Sequence, residues 1–392
     1  MGGAAGHMMH VYEDTNLTFS ELKKILSDLT TGQIDLYEKI DGQNLFVTFD
    51  ADQSNLFAAR NLSDIRRGGV SPQEFLSRWA GHPAEKAFTG GFRALLNLFN
   101  KISAQKLKNI FNNDGEKYFL NLEIVCASHP NVLQYGKNCI VFHELLPRSS
   151  NSDKHFDSLV ELVDGSKVLS EDETWEISGP RKIIVDSFQK EDSLASAHQR
   201  LDSLGMRDDA TLGDFIAEKL RTGIVGELPV STVKQEQIIK SVLADSNAPP
   251  VSSLKSGEST EVQKTISSLC TQENSRKTRL KFLEPIEIVI NDFAFALLSD
   301  VKSAFTGSHE SVVAKLQADV NDAVSKIKTL SRRGDSRAGN LLSQHMPKIK
   351  TIQSLNSSVE GIVFRHPCSD VTYKITGLFS PANQLVGFAK RN

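Results

Sequence analysis

Cysteine is scarce. The 392-residue chain has four, Cys126, Cys139, Cys270 and Cys368, with no paired spacing. That excludes a disulfide framework or a zinc ribbon and fits a reducing cytosol. Neither charge sign dominates: Lys+Arg is 45 against Asp+Glu 48, a formal net charge of -3. A histone-like basic coat is excluded, while a local basic groove is not. Long apolar runs are missing too. The longest, Ile286 to Leu298, is broken by Glu287, Asn291 and Asp292, too short and too polar to span a bilayer. No membrane partner is expected. The opening MGGAAGHMMH has no apolar stretch, so it is not a signal peptide. Residues 1–10 read as a tag remnant, with a natural start at Met8 or Met9. Tryptophan (2) and tyrosine (5) are few beside phenylalanine (21), which serves the core. With 39% hydrophobic and 24% charged residues, the chain is globular rather than disordered throughout.

Three stretches differ in texture. In 11–150, Thr18-Phe19-Ser20-Glu21 is a capping box that opens a helix to about Leu29. Strand patterns follow at Ile34–Tyr37, Leu45–Phe49 and Phe57–Arg60, then at Tyr118–Cys126 and Cys139–Leu145. Ser71-Pro72-Gln73-Glu74 starts another helix, with Gly81 as its stop. Gly90-Gly91 reads as a helix breaker, since no GxxxxGK follows. In 151–355 helical periodicity prevails, at Ser193–Leu204, Thr211–Leu220, Lys234–Leu243, Glu284–Lys302 and Ser311–Leu330. Ser246–Ser259, with its Pro-Pro pair, reads as a linker. In 356–392 strand texture returns at Val359–Phe364 and Val371–Ile375. The simplest organisation is one domain from 11–150 plus 356–392, interrupted by a helical insertion at 151–355.

Glu38-Lys39-Ile40-Asp41-Gly42-Gln43-Asn44 sits between two strand patterns. A lysine at a strand end before a tight Asp-Gly turn suits a nucleophilic amine aimed into a pocket. Attack needs the unprotonated amine, which burial and a neighbouring cation favour. Alone, the pattern fits a hairpin with a solvated lysine better than a nucleophile. Further on, Arg60 ends a strand where a guanidinium can hold phosphate. Glu123 is a carboxylate inside the apolar strand Phe119-Leu120-Asn121-Leu122-Glu123, where it must be paired or functional. Phe142, in Ile140-Val141-Phe142-His143-Glu144-Leu145, can stack on a base. Glu360 opens Glu360-Gly361-Ile362-Val363-Phe364, and Lys374 lies in Val371-Thr372-Tyr373-Lys374-Ile375.

The ordered set KIDG, ARN, FLNLE, VFHEL, EGIVF and TYKI resembles motifs I, Ia, III, IIIa, IV and V of the covalent nucleotidyltransferases. These are the ATP-dependent RNA and DNA ligases and the mRNA capping enzymes, and the resemblance is closest to phage-type RNA ligases. It covers roughly half the chain. It implies an α+β fold, with an antiparallel-rich nucleotidyltransferase (ATP-grasp-like ligase) core and a large, mainly helical insertion. It implies that Lys39 bonds to the α-phosphorus of ATP and that Lys374 sits on the α-phosphate as the second catalytic residue. Glu38, Ile40, Asp41, Gly42, Arg60, Glu123, Phe142 and Glu360 would line the nucleotide site. Arg60 would touch ribose or an incoming phosphate, Glu123 a ribose hydroxyl and Phe142 the purine. Glu360 would hold Mg²⁺ or Mn²⁺.

The expected activity is sealing of 5′-phosphate and 3′-hydroxyl ends through a lysyl-AMP intermediate. RNA is the favoured partner, nicked duplex an alternative, and the cytoplasm (a host's, for a phage protein) the expected place. Two other readings stay open: transfer to a different acceptor, as in capping, and a weakened nucleotide- or nucleic-acid-binding module. The last is motivated by Thr372, which stands where the family's Lys-x-Lys pattern has its first lysine. That contact is then missing or supplied elsewhere, for instance by Arg365. The short stretch after Lys374 leaves no room for the oligonucleotide-binding barrel of DNA ligases. Residues 326–350 carry Lys326, Lys328, Arg332, Arg333, Arg337, Lys348 and Lys350 against Asp335 alone. They form either a track for a phosphate backbone or a solvated basic helix end. Arg66-Arg67-Gly68-Gly69 reads as a glycine turn, with a second phosphate contact the lesser alternative.

Overall fold

Thr18 and Glu21 cap each other. Glu21 N donates to Thr18 Oγ1 at 3.1 Å, and Thr18 N donates to Glu21 Oε2 at 2.8 Å. Two of the orphan amides at the helix start are thereby satisfied. The helix, α1 (Phe19–Thr31), stops at Gly32 in the left-handed region. The computed structural model describes residues 8–50, 53–113, 115–129, 137–183, 191–243, 250–306, 361–366 and 371–376.

A short strand, β1 (Met9–His10), precedes α1. After it come β2 (Leu36–Lys39), β3 (Gln43–Asp50) and β4 (Asn55–Ala59), then α2 (Leu62–Arg66), α3 (Pro72–Trp79), α4 (Glu85–Phe99) and α5 (Ala104–Phe111). A small hairpin, β5 (Asn112–Asn113) with β6 (Glu116–Lys117), leads to β7 (Phe119–Val125) and β8 (Asn138–Leu146). Then follow α6 (Ser150–Val163), β9 (Lys167–Ser170), β10 (Glu173–Ser178) and β11 (Lys182–Ile183). Helices α7 (Glu191–Asp202), α8 (Leu212–Arg221), α9 (Thr232–Val242), α10 (Val251–Lys255), α11 (Thr260–Cys270) and α12 (Gln272–Thr306) come next. The C-terminal part supplies β12 (Gly361–Arg365) and β13 (Thr372–Ile375).

Two sheets carry the architecture, which is α+β as expected. The first has strand order β1-β13-β12-β2-β11, the second β4-β3-β7-β8-β10-β9. Most neighbours are antiparallel; β1–β13 and β8–β10 are parallel. One face of the second sheet (Leu45, Val47, Leu120, Leu122, Ile124, Ile140) packs on α3, α4, α5 and α6 through Phe75, Phe92, Phe111 and Leu159. One face of the first (Leu36, Ile362, Phe364, Tyr373, Ile375) shares a cluster with α1 and with α7 to α12.

Three expectations change. Strand structure does not end at 150: β9 and β10 extend the second sheet and β11 the first. The period-2 burial of Trp175 and Ile177 against solvent-facing neighbours is short and easily lost among helices. The described helices beyond 190 are not a separate unit either. Leu201, Phe215, Ile239, Ile266 and Ile290 join the core that backs β2, β12 and β13. Lastly, residues 9 and 10 are part of the fold, because β1 pairs with β13 at Met9–Tyr373 and His10–Lys374.

Gly90 and Gly91 do not break α4 but lie within it. A Cβ on Gly91 would stand 2.5 Å from Ile124 Cγ2, and one on Gly90 would stand 3.0 Å from Trp175 Cζ2. Glycine here lets the helix approach the sheet. The helix pattern Ser311–Leu330 and residues 246–249 of the proposed linker lie outside the described residues. Among the described residues no helix is long and apolar enough to cross a membrane.

Candidate active site between the two sheets

Lys39 ends β2, opposite Gly361 of β12, and Val363 of β12 lies opposite Lys374 of β13. Side chains alternate along a strand, so Lys39, Gly361, Val363, Lys374 and Thr372 share one face. It is the face turned away from Leu36, Ile362, Phe364 and Tyr373 in the core. One strand separates the two lysines, and their partners on it, Gly361 and Val363, are two residues apart, a backbone spacing of roughly 12 Å over which two flexible stems can converge. Lys39 is half-buried and Lys374 only 7% exposed. Gly361 is required where it stands, since a Cβ would be 2.2 Å from Ile375 O. The position facing Lys39 is thereby left without a side chain.

Ile40, Asp41 and Gly42 then carry the chain from the first sheet into β3 of the second. Ile40 and Asp41 are buried, Ile40 within the helix-backed core. Gly42 N donates to Glu123 Oε1 at 3.1 Å. A Cβ on Gly42 would lie 2.6 Å from Ile124 O, so glycine alone permits this approach.

The second sheet turns a polar band toward the first. Asn44 lies opposite Glu123 in register, and Asn44 Nδ2 donates to Asn121 Oδ1 at 2.7 Å. Asn121 Nδ2 donates to Glu144 Oε1 at 3.1 Å, and Glu144 pairs with Arg148 Nε. Arg148 Nη1 donates to Thr372 Oγ1 at 3.0 Å, which joins the two sheets. His143 Nε2 lies 3.3 Å from Glu123 Oε2. Arg60 is half-buried with its guanidinium carbon 5.4 Å from the Phe88 ring centroid. Burial lowers its pKa and the charge of Glu123 opposes that shift. Arg60 N also donates to Asp64 Oδ2 at 3.1 Å. Arg67 Nη2 pairs with Asp64 at 2.7 Å, so the Arg66–Gly69 segment closes a turn on its own carboxylate.

Three expected site residues lie elsewhere, Ile40 in the helix-backed core as above, Phe142 and Glu38. Phe142 is fully buried on the helix-facing side, opposite Leu122 in register and 6.4 Å from Phe99 in a stacked pair. The base-stacking role fails because a β-bulge at Asn121/Leu122 leaves Phe142 on the core face. His143, the next residue, faces Glu123 instead. Glu38 also points away from Lys39, toward Ile362 and the core. Its side chain is 9% exposed, Arg181 Nη1 stands 3.7 Å off, and burial pushes its pKa up to about 7. Glu360, Arg332, Arg333 and Arg337 lie outside the described residues.

Lys39, Lys374, Gly42 and Glu123 thus belong to the inner side of the two sheets, while Arg60 packs over Phe88 of the helix-backed cluster within electrostatic reach of Glu123. Arg148, His143, Asn44 and Asn121 join them without a sequence signal of their own. The described residues contain no group of three or more His, Cys, Asp or Glu able to hold a metal ion. Comparison with protein-family models, with curated proteins and with solved structures gave no match.

Proposed function

We propose that the protein is an ATP-dependent polynucleotide ligase acting on RNA, with Lys39 as the residue that becomes adenylylated and a nucleotidyltransferase core formed by the two sheets. The observation that carries this reading is the shared face of Lys39 and Lys374 beside the turn that ties to Glu123, with Arg60 in electrostatic reach of that carboxylate. Two strands far apart in sequence, β2 and β13, carry Lys39 and Lys374 on one face of the same sheet.

In the first step the Lys39 Nζ lone pair bonds to the α-phosphorus of ATP. The bond from that phosphorus to the bridging oxygen breaks and pyrophosphate leaves, while the amine gives up a proton. Lys374 faces the charge that develops on the α-phosphate, and a fixed cation there lowers the barrier. The amide of Gly42 keeps Glu123 turned inward, within reach of a ribose hydroxyl. A 5′-phosphate oxygen then attacks the same phosphorus and breaks the P–N bond. Finally a 3′-hydroxyl attacks the 5′-phosphate and expels AMP. A divalent cation supplies charge neutralisation on the phosphates when bound.

The test is incubation with α-labelled ATP and Mg²⁺ followed by a denaturing gel. Label should stay on the wild-type chain, vanish in Lys39→Ala and fall sharply in Lys374→Ala. Label that survives Lys39→Ala, or no label with any nucleotide, defeats the reading. Label from GTP instead of ATP moves it to the capping type.

A further inference from the structure

Thr372 shares a sheet face with Lys374, two residues away, and places a hydroxyl rather than a cation beside the catalytic lysines. A fixed charge reaches it from the segment that follows β8 of the other sheet. Arg148 Nη1 donates to Thr372 Oγ1 at 3.0 Å, while Arg148 Nε pairs with Glu144. Glu144 is itself held by Asn121 Nδ2 at 3.1 Å. Arg148 is therefore fixed at two of its five N–H donors, both by groups on the inner side of the two sheets, and it spans the gap between them.

Building on the ligase reading, we infer that Arg148 is a phosphate-binding residue of this chain. It brings to Thr372 the positive charge that Thr372 lacks, and it acts on the triphosphate of the nucleotide beside Lys374. Three features argue for a built position rather than a surface ion pair. The guanidinium is oriented by a carboxylate that has its own donor. Its side chain is one-third exposed, so it is accessible to a ligand without being fully solvated. It also bridges two sheets that otherwise connect near this point through the turn after Lys39. A planar fork suits phosphate oxygens better than an ammonium at the same distance. Arg365, opposite Thr372 on the neighbouring strand, is exposed and serves as the comparison.

The test compares initial rates of Lys39 labelling from α-labelled ATP, over a range of ATP concentrations, in four proteins. These are the wild type, Arg148→Ala, Arg365→Ala and the double variant Arg148→Ala/Thr372→Lys. Arg148→Ala should slow labelling on the order of 100-fold at saturating ATP. Arg365→Ala, which removes the other candidate for that charge, should slow labelling at least tenfold less than Arg148→Ala does. The double variant should recover at least tenfold over Arg148→Ala, because a lysine at 372 restores the charge from the other sheet. A merely structural bridge would not be rescued in this way, and thermal unfolding of each variant separates loss of fold from loss of charge. Wild-type labelling with an unaffected Arg148→Ala overturns this inference and leaves the ligase reading standing. A folded Arg148→Ala that is slow and not rescued by lysine at 372 also overturns it. No label on the wild type overturns both.

Discussion

The amide of Gly42 hydrogen-bonds to Glu123 Oε1 at 3.1 Å, tying the turn after Lys39 to the middle strand of the other sheet. Gly42→Ala tests this tie. The new methyl would stand 2.6 Å from the backbone oxygen of Ile124 and 2.8 Å from Glu123 Cγ. Backbone cannot rotate away, so the strands must separate, at a cost of about 1–3 kcal/mol. The denaturant midpoint should fall accordingly, and Lys39 labelling should drop at least tenfold. Glu123→Gln is the companion, since a glutamine oxygen still accepts from Gly42. It should keep stability within about 1 kcal/mol yet lose the charge that faces Arg60. Wild-type stability in Gly42→Ala would show that the turn is loose.

Gly91 sets two effects of opposite sign against each other. Alanine in a helix interior is favoured over glycine by about 1 kcal/mol. Here its methyl would meet Ile124 Cγ2 at 2.5 Å, in a fully buried contact between α4 and β7. Overpacking of this kind costs about 1–3 kcal/mol, so the clash should win. Gly91→Ala should lower the thermal midpoint by several degrees, and Gly91→Ala/Ile124→Val should recover part of it. A more stable Gly91→Ala would mean that the helix can shift outward freely.

The sequence revealed more of the skeleton than of the site. Thr18-x-x-Glu21 marked α1 because its cap is a local contact, and β3, β7 and β8 carried clear alternation. The pairing of β2 with β12 was foreseeable only as the sum of two strand textures, since nothing local encodes register. Phe142 and His143 show the limit most sharply. One bulged residue decides which of two neighbours faces Glu123 on the inner side, and a bulge leaves no mark in composition. Arg148 was invisible for a related reason: its meaning comes from Thr372 on a different sheet. Short β9 and β10 were hidden among helices, where a few alternating residues weigh little.

Phe142 and His143 can be separated by experiment. Phe142 is fully buried beside Phe99, so Phe142→Ala should cost about 3–5 kcal/mol and Phe142→Leu less than about 1.5 kcal/mol. Phe142→Leu should leave the ATP concentration for half-maximal labelling unchanged. His143→Ala leaves the core intact but removes the neighbour of Glu123, and should weaken ATP binding without lowering stability by more than about 1 kcal/mol. A Phe142→Leu protein with wild-type stability and poor ATP affinity would return the stacking role to Phe142.

Glu38 makes folding stability depend on pH. Burial raises its folded pKa from 4.5 to about 7, with the Arg181 guanidinium opposing at 3.7 Å. Below about pH 4.5 the carboxyl is protonated in both the folded and the unfolded chain, and the shift has no effect. As pH rises toward 7 the unfolded chain releases its proton while the folded chain retains it. Stability therefore falls through this window and levels off above about 7, by at most about 3 kcal/mol from this one group. Glu38→Gln removes the ionisation and keeps the shape. Its stability measured by urea unfolding should match the wild type near pH 4 and exceed it near pH 8. Arg181→Ala should have the opposite effect, deepening the wild-type loss at pH 8, because the buried carboxylate then has no cation beside it. A wild-type curve parallel to that of Glu38→Gln across the whole range would show that Glu38 ionises in the folded protein as it does in water.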